Sequence, residues 1–146
     1  MNKISTLLVM IVGLYCQNAS ALDIEVKNGV VRSPIPGMAN TVGYMELTNK
    51  GSDNIVLISA KSDLSKKVEV HDHIMNDGVM KMVKLDGLTI NTNETKTFQS
   101  GGLHLMFIGL NEQDAMKKTI DVTFIFQDGS EQVATFDVKS IHQHHH

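Results

Sequence analysis

Three histidines and four methionines crowd into two short segments of this chain, His71, His73, Met75, Met80 and Met82 in the first and His104 and Met106 in the second. Imidazole nitrogen accepts copper or zinc, and thioether sulfur is a soft neutral donor that favours Cu(I), whereas calcium and magnesium call for carboxylate oxygen. Two His combined with two Met therefore point to monovalent copper. The chain's one Cys is Cys16, and it falls in the leader described below. Once that leader is removed, a Cys nucleophile, a thiol relay, an iron–sulfur cluster and a blue-copper centre all lack their thiolate.

Strand periodicity decides whether these residues can meet. Residues two apart in a strand share a face, with Cα atoms roughly 6.6–7 Å apart. His71 and His73, Met80 and Met82, and His104 and Met106 are such pairs. Asn76-Asp77-Gly78 stands between the first two pairs as a hairpin signal, with Gly78 suited to positive φ. Strands pairing about that turn would make two segments neighbours, and GGLHLMFIGL (101–110) would bring the third. In that run Leu105 and Phe107 are expected to pack the core while His104 and Met106 face the site.

The elements around them read as strands almost throughout. DIEVKNGVV, GYMELTN, NIVLISA, KKVEVHDHIM, GVMKMV, GLTI, ETKTFQS, TIDVTFIFQ and EQVATFDV are each bounded by Gly, Asn, Asp or Ser. The last two are joined by an Asp128-Gly129 turn. RSPIPG places Pro34 and Pro36 in an extended connection between the first two strands, where neither must donate a ladder hydrogen bond. SDLSKK offers one helical turn at most, and Met45 and Met116 read as core residues. Strand after strand without a long 3.6-residue period predicts an all-β sandwich or barrel.

Composition agrees with one globular domain: 146 residues, 42% hydrophobic and 20% charged. A formal charge of -3 with no basic stripe excludes nucleic acid as an expected partner. Residues 1–21 read as a signal peptide, with Lys3, an apolar run from Leu7 to Tyr15 too short to span a bilayer, and Ala19-Ser20-Ala21 at the cleavage position. Bulky Tyr15 before Cys16 does not suit a lipobox. Export to the periplasm is expected, leaving no membrane span and a mature chain from Leu22. Lys3 is the leader's only charge, so that chain has 12 basic and 16 acidic residues, net -4. Residues 22–139 form the expected domain, and residues 140–146, SIHQHHH, form a His-rich tail that reads as a native metal-binding extension.

The spacing His71-x10-Met82-x21-His104-x-Met106 resembles the H-x10-M-x21-H-x-M motif of the PCuAC family of periplasmic copper chaperones. VEVHDHIMNDGVMKM and GGLHLMFIGL are similar to that family's two ligand segments, and the resemblance covers nearly the whole mature domain. It implies a cupredoxin-like β-sandwich or Greek-key barrel and a non-enzymatic role in which His71, Met82, His104 and Met106 hold Cu(I). It also implies delivery to the CuA subunit of cytochrome c oxidase or another copper acceptor, beside a Sco-type protein. His73 departs from the pattern, standing where many members have Met; an alternative ligand, a bias toward Cu(II) and a solvent-facing residue are all open to it. Met80 is an auxiliary candidate, although core or rim packing is the simpler reading of Met75 and Met80. By analogy with members that carry an extension, His142, His144, His145 and His146 would take Cu(II). Two other functions compete: copper storage or resistance without an oxidase partner, and a three-His enzyme centre of His71, His73 and His104. The latter has no evident acid, base or oxyanion partner.

Overall fold

A computed structural model describes residues 22–140. The expected signal peptide, residues 1–21, and the tail residues His142, His144, His145 and His146 lie outside the described residues. Ten strands form: β1 (Ile24–Arg32), β2 (Asn40–Asn49), β3 (Ile55–Lys61), β4 (Ser65–Asn76), β5 (Val79–Lys84), β6 (Leu88–Ile90), β7 (Thr95–Phe98), β8 (His104–Leu110), β9 (Thr119–Phe126) and β10 (Glu131–Lys139). Each coincides with one of the alternating segments read from the sequence. In spatial order β4-β8-β2-β1-β10-β9-β3 make a sheet that closes on itself where Ala60 of β3 pairs with Val68 of β4. The expected all-β barrel is what the chain forms. Only β1 and β10 run parallel within it.

Alternation fills the interior. From β2, Thr41, Met45, Leu47 and Asn49 turn inward; from β4, Val68 and Val70; from β8, Leu105 and Phe107. Phe107, Phe124, Phe126 and Phe136 are buried almost completely, each contributing about 1.5–3 kcal/mol by leaving water. Gly43 faces Leu105 in the register and lies against Phe107, where an added Cβ would come within 2.9 Å of the ring's Cε2. A glycine is what lets β2 pass over that ring.

Three smaller strands lie outside the closed circuit, β6 against β3, β7 against β2 and β5 against the outer edge of β4. The β4–β5 hairpin turns at Asp77 (φ 51°) and Gly78 (φ 75°), the paired positive φ values of a two-residue hairpin loop. Met45 is buried as expected, and Pro34 and Pro36 lie in the β1–β2 connection.

Two expectations require correction. Met116 is 87% exposed, not core. It ends a short 3-10 helix, Asp114–Met116, fastened through the Asn111 backbone and side chain, and no second layer covers that turn. SDLSKK contains no helical turn: Ser65 already begins β4, and fully buried Leu64 anchors the preceding bend in the core.

Candidate metal centre

β4 lies between β5 and β8, and its residues turned away from the core are Glu69, His71, His73 and Met75. The register then fixes their neighbours. His71 is directly opposite His104 on β8 and Lys84 on β5; His73 is opposite Met82; Met75 is opposite Met80; Glu69 is opposite Met106. Directly opposed residues share a face, and diagonal ones lie about 7–8 Å apart, within reach of long side chains. His71 is therefore the hub, with His104 as its direct partner and Met82 and Met106 on its two diagonals.

The three imidazoles cluster. The His104 ring centroid lies 5.7 Å from that of His71 and 5.1 Å from that of His73. Met82 stands beside His73 and diagonal to His71, so the structure brings it to the edge of the cluster. The rings do not form the three-His centre weighed from the sequence: among the described residues, no three His, Asp or Glu side chains converge on a point that could hold a metal. His71 and His73 lie two residues apart along one strand, and neither ring is directed to a shared centre by the other.

Hydrogen bonds select which nitrogen of each ring remains available. His71 donates Nε2–H to Glu69 Oε2 at 2.8 Å, because a carboxylate can only accept. Its Nδ1 is then the unprotonated nitrogen, and that atom is buried without a hydrogen-bond partner. An orphaned polar atom of this kind costs about 1–3 kcal/mol. His104 donates from Nδ1 to the carbonyl oxygen of Gly102 at 2.9 Å, leaving the Nε2 lone pair free. His73 approaches the same carbonyl at 3.4 Å through Nδ1, and its backbone N–H donates to Asp72 Oδ1.

Electrostatics favour a neutral His104 and an ionised Glu69. Burial holds the His104 pKa below the ordinary imidazole value, with His73 and His71 pushing the same way and the Gly102 bond and Asp72 opposing. His104 is 4% exposed. The bond from His71 holds the Glu69 carboxyl below its ordinary value, with a smaller contribution from Lys84, whose Nζ stands 4.0 Å from Oε1. Glu69 and Gly102 were not singled out in the sequence. Glu69 sits two residues before His71, so its place on the same face was readable; a backbone carbonyl carries no residue signature.

Met75 and Met80 are not core residues. They lie 66% and 57% exposed on the hairpin arm, and Met82 is 50% exposed. The cluster is thus closed at His104 and open toward the arm. Chemically, this face offers two imidazole lone pairs with thioethers on either side, all uncharged.

Residues 24–138 match the family model described as putative lipoprotein LpqE-like. A putative lipoprotein of Leifsonia xyli subsp. xyli is 26% identical over 117 residues, 80% of this chain and 69% of that protein. An uncharacterized protein of Rickettsia prowazekii is 29% identical over 106 residues, 69% of this chain and 56% of its own length. Among solved structures, the copper-bound PCuAC domain from PmoF2 superposes with a TM-score of 0.67 at 19% identity, covering 82% of this chain and 96% of that domain. The solution structure of CuI-DR1885 from Deinococcus radiodurans gives a TM-score of 0.62 at 30% identity, covering 86% of this chain and 84% of that one. The fold is that of solved PCuAC domains, as the motif resemblance implied.

Proposed function

The chain belongs to the LpqE-like family, and from that premise we propose that it is an exported copper chaperone which binds Cu(I) through His71, Met82, His104 and Met106 and passes it to an acceptor. The carrying observation is the buried, unpartnered Nδ1 of His71 directly across the ladder from His104, whose Nε2 is left free by the Gly102 bond. Cu(I) would satisfy both nitrogens, His71 through Nδ1 and His104 through Nε2. Met106 and Met82 reach in along the diagonals. The Cu(I)-bound DR1885 protein, 30% identical, and the copper-bound PmoF2 domain support copper as the cargo.

The donor set suits hand-over. All four donors are neutral when they coordinate, so the ion keeps its single charge. Thioethers neither titrate nor form disulfides, which fits an oxidising compartment. Half-exposed Met82 marks the open side of the site, where an incoming ligand can approach the ion. The acceptor is the CuA centre of cytochrome c oxidase, with a Sco-type protein beside it, and His142, His144, His145 and His146 take Cu(II). A periplasmic site of action follows from the signal peptide. Among the described residues, no helix is long and apolar enough to cross a membrane. The role is non-enzymatic in this reading: the carboxylate beside the cluster, Glu69, is engaged in orienting His71.

A competition titration with a Cu(I) chelator tests the site. Replacing His104→Ala with Met106→Ala should weaken Cu(I) binding by at least roughly a hundredfold, the upper end of what disturbing a supporting residue alone costs. Unchanged affinity would sink the assignment. Mixing Cu(I)-loaded protein with an apo CuA domain then separates delivery from storage or resistance, because a storage protein keeps its copper.

A further inference from the structure

Beyond the four ligands, the hairpin arm presents a second set of sulfurs. Met75 on β4 and Met80 on β5 are a direct cross-strand pair, and Met82 follows Met80 on the same face of β5. All three are at least half exposed. A two-stranded arm that holds three large apolar side chains in water gains nothing from packing them, and directly opposed residues on such an arm have Cβ atoms only about 4.5–5.5 Å apart. Three neutral thioethers on one face form a donor set that favours a soft monovalent cation, with the His73 imidazole opposite Met82 at its inner edge.

We propose that Met75, Met80 and Met82 form an outer, weaker Cu(I) site through which the ion reaches and leaves the His71–His104 pair. This rests on the copper reading above and extends it. Met82 is the shared donor, since it is next to Met80 on β5 and directly opposite His73, diagonal to His71. An ion held by three thioethers exchanges Met75 and Met80 for the nitrogens of His71 and His104 while Met82 stays bound. Each step breaks one copper–sulfur bond and forms one copper–nitrogen bond, Met106 then adds as the fourth donor, and on the way out Met106 leaves before the two nitrogens are exchanged back; no electron is transferred. The exposed end of the arm is where a partner's ligands gain access, away from buried His104.

Ag(I) is the probe, a redox-inert stand-in for Cu(I), and the ε-methyl resonances of methionine are the readout. In His71→Ala/His104→Ala protein, Ag(I) should still shift the ε-methyl signals of Met75, Met80 and Met82; unmoved Met75 and Met80 signals overturn the outer site. In a second variant, Met75→Leu/Met80→Leu keeps the arm apolar and removes two sulfurs. Release of metal to a chelator should slow by roughly tenfold, the order expected when a pre-positioned donor no longer raises local concentration. An unchanged rate also overturns the proposal. The two readings fail separately: in the wild-type protein, with the imidazole ring resonances followed beside the ε-methyl signals, Ag(I) shifts confined to Met75, Met80 and Met82 would discard the His71–His104 centre, and shifts confined to the two rings, Met82 and Met106 would discard the outer site.

Discussion

Val68, Val70, Leu105 and Phe107 alternate along β4 and β8 with Glu69, His71, His104 and Met106, so one pair of strands carries two faces governed by different physics. On the inner face these four side chains are apolar and packed into the core, and what matters there is volume. On the outer face one nitrogen of each ring has a particular partner, Glu69 for His71 and Gly102 for His104, and the other nitrogen of each ring has none, that of His71 being buried. Neighbours in sequence thereby contribute to different properties. A change at one residue should cost stability, and a change at the next should cost metal binding.

The largest effect should come from the inner face. Phe107→Ala removes a fully buried ring and should destabilise the fold by about 3–5 kcal/mol, read as a lower urea midpoint with an unchanged slope. A loss well below 1 kcal/mol would break the contrast, since it would mean the barrel interior is not close-packed at this point. Gly43→Ala tests the same packing from the opposite strand. Its new Cβ would press on Phe107 at 2.9 Å, and overpacking of this kind costs about 1–3 kcal/mol. A neutral Gly43→Ala would show that the ring can slide.

How much of this was legible follows the same division. Period-two alternation is a local property, so the ten strands, the inward Leu105 and Phe107 and the Asp77–Gly78 turn could all be read from the chain. Barrel closure could not, because Ala60 meets Val68 through strand pairing that no local pattern encodes. Met116 misled because its apolar type says nothing of the 3-10 turn that directs it outward. The place of Met82 was available but needed counting. A two-residue turn puts Asn76 opposite Val79, and so His73, not His71, opposite Met82. Glu69 was visible as a same-face neighbour of His71, yet carboxylates are common on strands and only the 2.8 Å bond gives it a purpose.

Glu69 offers the next test, on the outer face. Its carboxylate fixes the ring of His71 with Nε2 protonated and Nδ1 free. Without it the imidazole can take either tautomer or rotate. Glu69→Ala should therefore weaken Cu(I) binding by about 10–100-fold, the usual cost of losing a carboxylate that orients a metal-binding histidine, while leaving the urea midpoint almost where it was. Glu69→Gln, which can still accept the bond, should recover part of the loss. Nitrogen chemical shifts of His71 in the apo protein provide the independent readout, because a purely structural role for Glu69 would leave the tautomer unchanged. A drop in stability as large as that of Phe107→Ala would mean the two faces are not separable.

The smallest effect is a pH dependence, and its sign is fixed by burial. His104 has its folded pKa pushed below the ordinary imidazole value of about 6.5. As the pH falls through that ordinary value, the unfolded chain takes up a proton at residue 104 and the native protein does not, so native stability declines. The decline ends below the folded pKa, where both states are protonated. Glu69 acts in a more acid window: its folded pKa is lowered by the bond from His71, so its contribution is complete above the ordinary carboxylate value and is lost as the pH falls through the folded one. Urea midpoints of the apo protein across this range should show both declines, and His104→Asn should remove the upper one. The ring resonances of His104 should titrate below the ordinary value; titration at or above it would mean the ring is not desolvated. Phe107→Ala should lower the midpoint by nearly the same amount at every pH, because a cavity binds no protons. The inner face thus shifts the whole stability profile, and the outer face changes its slope.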